Sequence, residues 1–162
     1  MDNPFLTNLT DKLLPTFRLA GDLALNYRKL GLKVTSKEDK TPVTNADIAI
    51  NSLLTKDIEK LTPEIPIISE EVSKNKNLKN LSTFWLIDPI DGTYDYINNR
   101  DEFTLNAALI INKKPELGIV HAPAKKRLFF TLGSDSFEIR QETFIKLTCE
   151  KKTNQSQIKA VS

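Results

Sequence analysis

At 162 residues the chain is long enough to bury a core of its own and falls in the usual range for one domain. Its 40% hydrophobic and 27% charged residues are ordinary for a globular protein, and a net charge of +2 on scattered lysines excludes a strong electrostatic claim on nucleic acid or an anionic membrane. A single cysteine, Cys149, excludes an internal disulfide, and a single histidine, His121, leaves no zinc site to be built.

In chain order, Leu13, Phe17, Ala20, Ala24 and Tyr27 recur at helical spacing, with Gly31 where a helix ends. They predict a helix laying an apolar stripe on a sheet. Residues 33–40 are polar and charged and read as an exposed loop or short hairpin. Thr44 followed by Asp47 is a capping-box pattern that opens a second helix, buried through Ile50, Leu54, Ile58 and Leu61 and closed at Thr62-Pro63. Residues 65–68 form a short apolar strand ending in Ser69-Glu70-Glu71, and residues 72–80 read as a solvated loop. Residues 84–87 form a strand that stops at Asp88, and residues 94–99 make a helical turn. Strands follow over 103–111, 116–122, 127–131 and 136–139, joined by short turns that imply antiparallel neighbours. His121 sits in one of them, as a partly buried neutral side chain. Residues 157–162 resemble the opening of a further strand. The fold class is therefore α+β, with two helices packed on an antiparallel sheet.

Two strands ending in acids, at Glu70-Glu71 and at Asp88, bring hard oxygen donors to one sheet edge. Pro89 and Gly92 turn the chain so that Asp88 and Asp91 converge, and the amides of Gly92, Thr93 and Tyr94 offer an anion site. Carboxylates for a cation beside amides for a phosphate point to metal-assisted phosphoryl chemistry. The bland alternative is a solvated turn after a strand. An EF-hand is excluded because Asp88, Asp91 and Asp95 do not alternate as its loop requires. A haloacid-dehalogenase-type phosphatase places one residue between its two acids, whereas Pro89 and Ile90 make two here; it stands as the weaker enzymatic alternative.

Four segments in order resemble the inositol monophosphatase superfamily: Thr41-Pro42-Val43-Thr44-Asn45-Ala46-Asp47, Ile68-Ser69-Glu70-Glu71, the stretch from Trp85 to Thr93, and Leu117-Gly118-Ile119-Val120-His121-Ala122-Pro123. Residues 100–109 are most similar to its 3′(2′),5′-bisphosphate nucleotidase branch, the CysQ type. The resemblance implies the first lobe of the inositol monophosphatase-like, sugar-phosphatase fold. It also implies Mg2+-dependent hydrolysis of the 3′-phosphate of adenosine 3′,5′-bisphosphate, a small-molecule substrate, with another member of the superfamily, such as an inositol monophosphatase acting on a related phosphate monoester, as an alternative. On that pattern Glu70, Asp88, the carbonyl of Ile90, and Asp91 hold two magnesium ions. Glu70, Ile90, Asp91, Gly92 and Thr93 meet the substrate, with its phosphate on Gly92 and Thr93. Asp47 and Thr93 orient the attacking water, with Glu71 in support.

Tyr94 departs from the Lys or Arg usual after the Gly-Thr pair, which weakens any contact to a second phosphate. The family pattern continues into a second α/β lobe, so residues 1–162 are expected to be a metal-bearing first lobe without it. Two consequences follow: the alternative of an inactive remnant or weak metal or partner binder, and self-association through the uncovered face. The N-terminus lacks a signal-peptide pattern and the longest apolar run, residues 107–111, is far too short to span a membrane, so a cytoplasmic protein is expected.

Overall fold

A computed structural model describes residues 3–37, 40–71 and 81–148. The loop expected over 72–80, the strand expected over 157–162 and Cys149 lie outside the described residues. Helix α1 spans Pro4–Leu30. Its stripe begins earlier than the sequence pattern predicted, because Leu6 and Leu9 extend the buried row of Leu13, Phe17, Ala20 and Ala24. Asn3 caps it, accepting from the Phe5 amide at 3.1 Å, and Gly31 at φ 101° closes it. Strands β1 (Val34–Ser36) and β2 (Pro42–Thr44) form an antiparallel hairpin that reaches beyond the stretch 33–40, where a loop or short hairpin was expected, into the segment 41–47. Helix α2 follows at Asn45–Leu61.

Among the described residues the main sheet has seven strands: β3 (Ile67–Ser69), β4 (Phe84–Asp91), β5 (Thr104–Ile111), β6 (Lys114–Ala122), β7 (Arg127–Leu132), β8 (Asp135–Arg140) and β9 (Thr143–Leu147), adjacent in that order. A short helix α3 (Thr93–Ile97) separates β4 from β5. The α+β class holds, and all neighbours are antiparallel except β3 and β4, which run parallel. Strand β9, unforeseen in the sequence, is mostly exposed and lacks a buried alternation to betray it.

One face of the sheet carries the core. Trp85, Ile87, Leu105, Leu109, Leu117 and Ile119 lie beneath α1 and α2, and the Trp85 indole N–H donates to Thr62 Oγ1 at 3.0 Å. Helix α1 approaches so closely at Gly21 that a Cβ there would stand 2.3 Å from Cε1 of His121. His121 is buried, with Nδ1 2.8 Å from the Phe17 carbonyl, and burial lowers its pKa; it is the neutral core side chain expected. Tyr96 donates its hydroxyl to the Ala24 carbonyl at 2.6 Å, tying α3 to α1. Strand register places Leu86, Asp88, Asn106, Val120, Phe129 and Glu138 together on the opposite face. Leu86 and Val120 are 49% and 39% exposed, so this face is open beside Asp88. Glu138, by contrast, is enclosed by Arg127 and Arg140, which together hold its pKa down to about 2.

Candidate active site

The parallel pairing of β3 with β4 decides where the acids go. Ser69 pairs with Ile87, so both strands deliver their C-terminal ends to the same edge, and the Glu70 amide continues the ladder to the Ile87 carbonyl at 3.1 Å. Glu70 and Glu71 therefore emerge beside Asp88. Strand β4 does not stop at Ile87 as its apolar run suggested but continues through Asp91. Its register shifts: Asp88 pairs with Asn106 and Asp91 with Thr104, three steps on β4 against two on β5. The extra residue is a bulge at Pro89-Ile90, where proline has no N–H to give. In a regular strand Asp88 and Asp91 would face opposite ways. The bulge turns both toward the face shared by Asn106 and Thr104, and Asn106 Nδ2 donates to Asp91 Oδ2 at 3.2 Å.

Gly92 then starts α3 at φ 87°, and a Cβ would lie 2.7 Å from the Glu102 carbonyl. Its lack of a side chain is thus demanded by the fold, independently of any ligand. Thr93 donates its hydroxyl to the Ile90 carbonyl at 3.0 Å, while the Ile90 side chain is buried in the core. Asp47 is the capping carboxylate of α2: Oδ2 accepts from both the amide and the hydroxyl of Thr44. Asp47 and Thr93 do not bond each other: Asp47 accepts from Thr44 at the end of β2, and Thr93 donates to Ile90 in β4. Ser69 donates to Asn51 Oδ1 at 2.6 Å, pinning the β3 tip that carries the glutamates to α2.

The electrostatics are those of crowded anions. Burial, then the charges of Glu70 and Asp91, push Asp88 up to about 7, and its Oδ1 is buried without a hydrogen-bond partner among the described residues. Burial also raises Asp47 and Glu71 above the ordinary carboxylate range. Among the described residues one cation answers part of this charge. Lys37, after β1, places Nζ 2.7 Å from Glu70 and 2.9 Å from Glu71; burial opposes its charge, yet the two carboxylates raise its pKa. Among the described residues no group of three acidic side chains is set to hold a metal ion, although Glu70 and Asp91 both lie close enough to Asp88 to raise its pKa. A buried orphan carboxylate oxygen in an anionic field, with carbonyl and carboxylate oxygens around it, suits a hard divalent cation.

All eight predicted residues thus lie at one end of the sheet or on the helices starting there, with Glu70, Asp88 and Asp91 adjoining. Lys37 and Asn106 were missed. Lys37 stood in a polar stretch with no pattern to single it out. Asn106 carried one available signal, a polar residue on the face of a predicted strand.

Comparison with known proteins agrees with this geometry. Residues 8–160 match the model of the inositol monophosphatase family. The 3′(2′),5′-bisphosphate nucleotidase CysQ of Buchnera aphidicola is 35% identical over 162 residues, covering 98% of this chain and 59% of that protein. A solved CysQ from Bacteroides thetaiotaomicron, described as a bacterial member of the inositol monophosphatase family, superposes with TM-score 0.61 at 27% identity, over 84% of this chain and 50% of that one. The Thermotoga maritima IMPase gives TM-score 0.71 at 28% identity, over 81% and 51%. The chain therefore spans between half and three-fifths of the length of these relatives. By its sequence match, its fold and the order of its acidic strand ends, the chain belongs to the inositol monophosphatase family.

Proposed function

We propose that this chain is the metal-bearing part of a Mg2+-dependent phosphatase of the bisphosphate nucleotidase type, acting on the 3′-phosphate of adenosine 3′,5′-bisphosphate. The observation that carries the reading is Asp88, a buried carboxylate with an unpartnered oxygen, flanked by Glu70 and Asp91. Glu70, Asp88, the Ile90 carbonyl and Asp91 are the residues that would hold the ions, and Gly92 and Thr93 those that would receive the phosphate. Bound divalent cations supply polarisation of the phosphoryl oxygen, activation of water and neutralisation of the leaving oxygen.

The chain's own residues do the positioning. The bulge sets Asp88 and Asp91 on one face, and Thr93, its proton committed to Ile90, keeps lone pairs free to accept from water. Asp47, buried and fixed by Thr44, is the carboxylate set to take a proton. The names of the bisphosphate nucleotidase relatives support the substrate class. The test is phosphate release from adenosine 3′,5′-bisphosphate by the purified chain, with and without Mg2+. Release that requires Mg2+ and falls at least about 100-fold in Asp88→Asn is the expected result. Absence of release from the chain alone and from the chain joined to the remaining half of a CysQ relative contradicts it.

One observation favours a second reading, in which the chain as given binds metal or a partner without turnover. Among the described residues no group of three acidic side chains is set to hold a metal ion, and Glu70 and Glu71 are engaged by Lys37. Turnover by the chain alone, lost in Asp88→Asn, would refute that second reading.

A further inference from the structure

Resting on the metal-centre reading above, we propose that Asn106 is a positioning residue of that centre: its amide N–H steers Asp91, and its carbonyl oxygen accepts a hydrogen bond from water in the shell of a cation held at Asp88. Asn106 stands directly opposite Asp88 across β4 and β5, with both side chains on one face. Its Nδ2 lies 3.2 Å from Asp91 Oδ2, which fixes the amide's orientation, because the flipped form would set oxygen against oxygen. Oδ1 is thereby turned away from Asp91. Among the described residues, Asn106 Oδ1 and Asp88 Oδ1 are the buried side-chain polar atoms that have no hydrogen-bond partner.

Two acceptors that are cross-strand neighbours cannot satisfy each other while Asp88 is ionised; each needs a donor or a cation. The ammonium of Lys37 is committed to Glu70 and Glu71. A hydrated divalent ion supplies both needs at once, charge for Asp88 and a water O–H for Asn106. A residue serving only the sheet would gain nothing from a buried oxygen without a partner. One that holds a ligand's water gains it on loading.

The experiment uses the 162-residue chain and Mn2+, with free ion followed by electron paramagnetic resonance, alongside thermal melts in EDTA. Asn106→Ala is expected to weaken Mn2+ binding about 10–100-fold. Its melting temperature in EDTA should stay close to the parent's, since the lost hydrogen bond to Asp91 is offset by removal of an unsatisfied acceptor. Asn106→Gln keeps both an N–H donor and an acceptor oxygen and should bind Mn2+ more tightly than Asn106→Ala. Mn2+ affinity for Asn106→Ala within about twofold of the parent overturns the proposal, as does a loss of affinity in Asn106→Ala of which Asn106→Gln restores nothing. If the parent itself binds no Mn2+, the metal-centre reading falls and this inference with it. Binding by the parent that Asn106→Ala leaves intact removes only the role given to Asn106.

Discussion

Asp88 keeps its proton to a higher pH than a carboxyl in water does, up to about 7 against an ordinary 3.8, because burial and then Glu70 and Asp91 oppose its charge. The folded state therefore binds this proton more tightly than the unfolded chain. Its stabilising share is full below about 3.8 and is lost as pH rises through about 7. Asp88→Asn removes the penalty. In EDTA at pH 8 the variant should be more stable than the parent by about 1–2 kcal/mol, allowing for solvent screening of a partly exposed group. The advantage should shrink as pH falls. Urea denaturation at several pH values measures it, and a variant less stable than the parent at pH 8 contradicts it. At this scale the sequence was informative where a local rule applied. Asp47 was legible as a cap because its partner Thr44 is three residues away. The place of Asn106 was not, since it depends on pairing with a strand 18 residues distant.

Among the elements, α1, α2 and the main strands were legible from apolar periodicity, and their ends from Gly31, Thr44 and the Pro and Gly turns. Three features were not. The parallel direction of β3 beside β4 is set by long-range packing, the bulge at Pro89-Ile90 by register against β5, and the grip of Lys37 by a hairpin folding back on Glu70 and Glu71. These features turn an acidic pair and a distant acidic turn into one site. Helix α1 supports that arrangement through its close contact at Gly21, where an added methyl meets His121 at 2.3 Å and Pro123 at 2.9 Å. Gly21→Ala should destabilise the protein by about 1–3 kcal/mol through overpacking, despite the better helix propensity of alanine. Chemical denaturation checks this, and an unchanged midpoint would mean that α1 can shift away from β6 without cost.

Over the whole molecule, the sheet has one face covered by helices and one bearing the site. The apolar core under α1 and α2 fixes strand order and register, and those in turn bring Glu70, Asp88 and Asp91 to one end of the open face. Among the described residues no helix is long and apolar enough to cross a membrane. The family was legible in the sequence because its motifs are local strings. Their convergence was an expectation that only the tertiary pairing of strands could meet. The most direct measurement is a calorimetric titration of the chain with Mg2+ at pH 8 and pH 6. Saturable binding at pH 8 is expected, weakening at pH 6 by up to about tenfold per pH unit as Asp88 takes up a proton, and abolished in Asp88→Asn. No saturable heat at pH 8, or binding that Asp88→Asn leaves unchanged, would contradict the account.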